Sequence, residues 1–261
     1  GNDTISTGDG DDWIAGGGGN DVIEGGAGND IIWGGSGNDN IKGEAGDNWI
    51  DGGSGNDTIT GEDGADTIYS GDGKDNINAG NGNNKIYGGG DDDIINSGTG
   101  EDYIEAGDGD DAVNSGVGND EIKGGSGIDT IKAGTGNDKL YGGLGNDDLD
   151  GEEGADTLYG EEGDDLIYGG QGDDTLYGGP GSDTLDAGSG NSNTFTADVV
   201  VEQLRKDGST SMKYDFRGCW PSSVSTIDLN YDSADQLEEF TVELQVQYFE
   251  AFGSAEAIDI R

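Results

Sequence analysis

A nine-residue period runs from Gly1 to about Gly190 without a single-residue slip, and it leaves this chain few folds to choose from. The unit reads G-G-x-G-N/D-D-x-Ile-x. Its Asp occupies twenty-one positions from Asp3 to Asp183, replaced only by Asn48 and Asn84. Two residues after each lies an aliphatic, from Ile5, Ile14 and Ile23 to Leu176 and Leu185. A short fixed period builds a stack in which each unit buries its apolar residue only against its neighbours.

Without the period, the composition would point to disorder. Of 57 acidic and 11 basic side chains, 13 and 5 lie beyond residue 190, which leaves a charge of −38 on the repeats together with 53 of the 56 glycines. Such acidity ordinarily prevents a packed core. Carboxylates at constant spacing are instead what a hard divalent cation requires. Phosphates would be repelled, so direct nucleic-acid binding by the repeats is not expected. The absence of His removes the commonest general base and transition-metal ligand. The lone Cys219 excludes an internal disulfide and any CxxC site. No apolar run approaches the roughly 18 residues of a membrane span. The sequence opens at Gly1-Asn2-Asp3, in mid-repeat and without Met, so a piece of a longer protein is expected, and the lack of a visible signal peptide excludes nothing.

The pattern predicts a six-residue turn and a three-residue strand in each nonapeptide. Glycine relieves the positive φ angles of such a turn, and Asn or Asp tolerates them next best. The strand centre points its Ile, Val or Leu inward. Two nonapeptides make one circuit, giving two parallel sheets over a thin aliphatic core and a rod on the order of 50 Å long at roughly 4.8 Å per circuit.

Asp residues eighteen apart then stack on one edge, where neighbouring turns can clamp an ion with both carboxylates and turn carbonyls. One edge carries Asp3, Asp21, Asp39, Asp57, Asp75, Asp93, Asp111, Asp129, Asp147, Asp165 and Asp183, which make ten consecutive pairs. The other carries Asp12, Asp30, Asn48, Asp66, Asn84, Asp102, Asp120, Asp138, Asp156 and Asp174, where the two Asn residues interrupt four of nine pairs and leave five. Glu44, Glu62 and Glu152 replace turn glycines on this second edge, and Glu161 on the first. About fifteen two-carboxylate Ca2+ sites are therefore expected, with weaker binding between residues 30 and 102. An acidic loop series without metal is the plainer alternative, but carboxylates stacked so closely would repel strongly. Ion binding and folding should be coupled. No nucleophile or base accompanies the sites, so they read as structural rather than catalytic, and no enzyme is expected.

The repeated G-G-x-G-N/D-D-x-Ile-x resembles the hemolysin-type calcium-binding nonapeptide of RTX proteins. That resemblance implies an all-β fold with a calcium-binding parallel β-roll over residues 1–190.

Residues 191–261 read as a different domain. Only Gly208, Gly218 and Gly253 remain there. Residues 195–204 and Met212 to Cys219 have strand character around a Lys206-Asp207-Gly208 turn, a strong hairpin signal. A third strand is expected near Val224–Tyr231. A fourth, Phe240–Tyr248, alternates apolar and polar, as one buried face of an antiparallel sheet or partial β-barrel requires. The Gly218/Trp220-Pro221 corner, the I-D-L-N-Y-D-S run and the ending Tyr248-Phe249-Glu250 resemble the C-terminal part of the tail tube proteins of contractile-tailed bacteriophages. The resemblance covers roughly residues 197–250 and implies a virion subunit that self-associates into rings or tubes. The N-terminal half of such a subunit does not appear in this sequence. Exported RTX proteins offer a second reading, because they too follow acidic repeats with a C-terminal extension recognised by a type I secretion system, a role the terminal A-F-G-S-A-E-A-I-D-I-R would suit. A third is a capping domain that closes the coil. The expected location is extracellular or in a virion tail, where calcium is plentiful.

Trp13, Trp33, Trp49, Tyr69, Tyr87, Tyr103, Tyr141, Tyr159 and Tyr177 all flank strand centres of one sheet, against Tyr168 alone on the other. Two accounts fit: rings stacked as a stiffening ladder, or a docking face for a neighbouring subunit, the C-terminal domain or a glycan.

Overall fold

The computed structural model of the chain describes residues 1–188, 197–204 and 210–219. Two compact units divide at Phe195/Thr196. The larger is a parallel β-solenoid, and the described residues contain no helix.

Successive nonapeptides fall on opposite sheets. Eleven strands, Thr4–Asp9, Val22–Ala27 and onward to Thr184–Asp186, form one sheet; ten, from Trp13–Gly18 to Thr175–Tyr177, form the other. All neighbours are parallel, and each residue faces the one eighteen further on, as in Ile5↔Ile23 and Ile14↔Ile32. The core is a double file of aliphatics, Ile14 to Leu176, all buried. Ile5 and Leu185, in the first and last strands, are only partly covered, because each has a neighbour on one side alone.

The strands are longer than the three residues expected. Most span six, because pairing continues past the strand centre into the glycines, with Gly8↔Gly26 and Asp9↔Ala27 in register. Gly8, at φ 95°, bends the chain while its neighbours keep their ladder partners, so bending and pairing share the same residues. At Gly26 the stacking leaves no room for a side chain either, since a Cβ there would lie 2.0 Å from the Gly8 carbonyl oxygen.

In the smaller unit Ala197–Leu204 pairs antiparallel with Thr210–Cys219, with irregularities between Ala197 and Val199 and between Gln203 and Leu204. These are the first two strands expected from the sequence. The Lys206-Asp207-Gly208 turn and the expected strands near Val224–Tyr231 and at Phe240–Tyr248 lie outside the described residues.

Candidate metal centre

The Asp at the sixth position of each repeat ends the turn, just before the next strand. The backbone N–H of each donates to Oδ1 of the Asp eighteen residues later, at 2.7 Å for Asp3 to Asp21 and 2.8 Å for Asp39 to Asp57. The relay is unbroken on both edges. Ten links run from Asp3 to Asp183. Nine run from Asp12 to Asp174. Asn48 and Asn84 do not interrupt it, because an amide oxygen accepts the same hydrogen bond, at 3.0 Å from Asp30 and from Asp66. What an Asn removes is the second carboxylate oxygen. Of the nineteen expected ligands only Asp3, Asp12 and Asp183, at the two ends of the roll, escape full burial.

With Oδ1 committed to the backbone, Oδ2 is left over. Seventeen Oδ2 atoms, from Asp12 to Asp174, are buried without a hydrogen-bond partner. A buried acceptor without a partner costs about 1–3 kcal/mol, and more when charged. At the interior glycine slots Oδ2 shares its pocket with a carbonyl. A side chain begun at Gly16 would come within 2.4 Å of Asp21 Oδ2 and 2.7 Å of the Gly34 carbonyl oxygen. The corresponding approaches at Gly160 are 2.3 Å to Asp165 Oδ2 and 2.6 Å to the Gly178 oxygen. Glycine keeps this slot open, and the donors that converge on it are hard oxygens of the type Ca2+ takes, six to eight at about 2.3–2.6 Å. Among the described residues no three acidic, His or Cys side chains cluster around a point, so carbonyls would supply the rest of the shell.

Electrostatics tell the same story. Burial, opposed by the backbone N–H of the preceding Asp, pushes Asp57, Asp93, Asp129 and Asp156 up to about 7. Asp66, Asp111, Asp138 and Asp147 are pushed up to about 6 by the same cause. Neighbouring carboxylates raise several further, as Asp75 and Asp39 do for Asp57. A bound cation reverses this by favouring the charged form.

Sequence reading missed three features. A second relay runs the opposite way at the fifth repeat position: the N–H of Asn20 donates to Asn2 Oδ1 at 2.9 Å, and that of Asn38 to Asn20 Oδ1 at 3.1 Å. Asp91, at φ 70°, joins Glu44, Glu62, Glu152 and Glu161 in the left-handed region, and its signal is an Asp standing where the repeat has glycine. Ser70, Ser97 and Ser115 occupy the open slot and donate through Oγ to the Gly88, Ser115 and Ala133 carbonyls at 2.5, 2.9 and 2.6 Å.

The aromatics lie together on the ten-stranded sheet, as expected. Tyr69 and Tyr87 stack with centroids 4.7 Å apart and 6° between planes, and Tyr141, Tyr159 and Tyr177 do so at 5.0 and 4.8 Å. Trp13, Trp33, Trp49 and Tyr69 touch in tilted or edge contacts at 5.4–5.8 Å. Between Tyr103 and Tyr141 the ring ladder is interrupted, and cations cover the rings on either side: Lys123 Nζ lies over the Tyr103 ring and Lys139 Nζ over Tyr141, each 5.0 Å from the centroid. This geometry supports the stacking account.

Against known proteins, no curated sequence matches the chain. Among solved structures it resembles a hyperactive, Ca2+-dependent, β-helical antifreeze protein from an Antarctic bacterium, at 22% identity and a TM-score of 0.36, over 79% of this chain and 73% of that one. The family model for phage tail tube protein matches residues 190–251. The model for RTX calcium-binding nonapeptide repeats matches in successive stretches, 1–32, 33–68, 69–104, 87–122, 123–158 and 159–193. With most of its length so matched and its turns built from the same nonapeptide, the chain belongs to the RTX calcium-binding repeat family.

Proposed function

We propose that the chain is a non-enzymatic structural protein whose repeats complete their β-roll on binding calcium, and that it serves as a virion tail component through its C-terminal domain. The observation that carries the calcium reading is the set of seventeen buried, unpartnered Oδ2 atoms aligned on two edges. Bound Ca2+ would supply the positive charge that lets these carboxylates stay ionised while buried. Asp Oδ2 and the slot carbonyls hold the ion, Oδ1 fixes the carboxylate, and glycine at the slot makes room. On this reading the nineteen Asp residues are ligands shared between successive turns. Low cytosolic calcium would keep the coil incomplete inside the cell, and the calcium-rich exterior would finish it.

Far-UV circular dichroism of the whole chain, first with chelator and then with millimolar calcium, tests this. A large gain of β signal is expected on calcium addition; an unchanged spectrum at every calcium level rejects the reading. The tail assignment rests on the match over residues 190–251. Expressing the whole gene and looking for rings or tubes by electron microscopy checks it, and a monomer at high concentration would favour a secreted exoprotein instead.

A further inference from the structure

We propose that one edge of the roll contains turns that take up no ion: Asn48 by itself, and then Asn84, Asp102, Asp120 and Asp138 in succession, whose slots are filled by Ala79, Ser97, Ser115 and Ala133. The inference rests on the calcium reading above and withdraws Asp102, Asp120 and Asp138 from its nineteen ligands.

At Asn48 the atom facing the slot is a donor rather than an acceptor. A side chain begun at Gly43 would meet Asn48 Nδ2 at 2.7 Å, where the Asp turns present Oδ2. That amide donates to the Gly46 carbonyl at 3.1 Å. Asn84 repeats the arrangement, donating to the Gly82 carbonyl at 3.0 Å and to the Ser97 carbonyl at 3.4 Å. A neutral N–H thus reaches carbonyl oxygens of the turn without any demand for a positive charge.

The slot changes as well. At most turns it is an open glycine position, yet from Asn84 to Asp138 on this edge every slot carries a Cβ. Ala79, Ser97, Ser115 and Ala133 are all completely buried. Ser97 Oγ donates to the Ser115 carbonyl at 2.9 Å, and Ser115 Oγ to the Ala133 carbonyl at 2.6 Å. These hydroxyl protons engage the type of carbonyl oxygen that points into the open slots elsewhere, and the Cβ atoms take up the space. The run is local: Gly151 and Gly169 reopen the slot further along, and on the opposite edge the filled slots Ser70 and Ala106 are separated by Gly88. Four adjacent slots are therefore closed from within the chain, by Cβ atoms with hydroxyl or amide donors in place of an ion, while the Oδ2 atoms of Asp102, Asp120 and Asp138 still lack a partner. This stretch should depend on calcium less than the open-slot turns that flank it.

Two measurements on the full chain test this. Amide hydrogen exchange in chelator should be at least about tenfold slower over residues 79–138 than over 139–183. Equilibrium calcium binding should show Asn48→Asp gaining bound calcium over the unsubstituted chain, because it restores a carboxylate oxygen beside the open Gly43 slot. A flat exchange profile, or an ion count that Asn48→Asp leaves unchanged, overturns the proposal. If the unsubstituted chain binds no calcium at all, it is the preceding reading that fails.

Discussion

Asp129 and Asp66 carry the same side chain beside the same kind of open slot, Gly124 and Gly61, and should nonetheless tolerate loss very differently. Each accepts one backbone hydrogen bond through Oδ1, from Asp111 at 2.9 Å and from Asn48 at 2.8 Å. Replacing either with Ala orphans one buried N–H, at a cost of about 1–3 kcal/mol in both cases. Asp129 sits in an unbroken carboxylate track, whereas Asp66 lies between Asn48 and Asn84. In calcium titrations Asp129→Ala should therefore lose more affinity and cooperativity than Asp66→Ala; equal losses would contradict the assignment of ions to the edges. Protonation offers a second residue-scale test. The folded-state values of about 6 to 7 at Asp57, Asp66, Asp93, Asp111, Asp129, Asp138, Asp147 and Asp156 lie above the ordinary 3.8, so burial favours the protonated form. In chelator their contribution to stability is fully present below about pH 4 and is lost as pH rises through 6 to 7. Acidifying the calcium-free chain from pH 8 to 4 should accordingly raise its β content, and circular dichroism would show it. The spacing of eighteen made the Asp tracks legible in sequence. It could not show which oxygen the backbone takes, because that depends on side-chain rotamers and on how far one turn is offset from the next.

At the scale of the element, the period placed every strand centre on its sheet, and Ile23, Ile32 and Ile41 are buried as the pattern requires. Strand length was less legible, since glycine reads as a breaker and here also pairs. The aromatic stripe divides as the sequence indicated, but the way its gap is closed does not follow from spacing: at the turn of Glu121 and Lys123 no ring is present, and Lys123 reaches Tyr103 instead, accepting no bond but donating to its hydroxyl at 2.8 Å. Ring pairs of this type contribute about 0.5–1.5 kcal/mol beyond area burial. Replacing Tyr141, Tyr159 and Tyr177 together with Thr removes two stacked pairs and should lower the thermal midpoint in calcium without abolishing the calcium-dependent fold. Unchanged stability would argue against the ladder as a stiffening device. In the smaller unit, the first hairpin pair was readable because strand-forming runs flank an Asp-Gly turn.

The whole roll has no long-range core, only repeated contact between a turn and the two beside it. Its architecture was legible because each local preference recurs twenty-one times in phase. The Asp relay reaches toward one end of the rod and the Asn relay toward the other, so every interior turn is latched to both neighbours. Since each latch joins residues eighteen apart while the chemical unit is nine long, length changes have a parity. Removing eighteen residues, Ala106 to Lys123 for instance, brings like to like: the aliphatic file, both carboxylate edges and the face of the remaining rings all persist. Removing nine, from Gly124 to Lys132, also preserves every kind of latch, yet it rotates everything downstream by half a circuit. Tyr141, Tyr159 and Tyr177 would then emerge on the sheet that now bears Asn78, Asn96 and Asn114. The two deletions should bind calcium alike and differ in which side of the rod carries tyrosine, so this fold lengthens freely only by even steps.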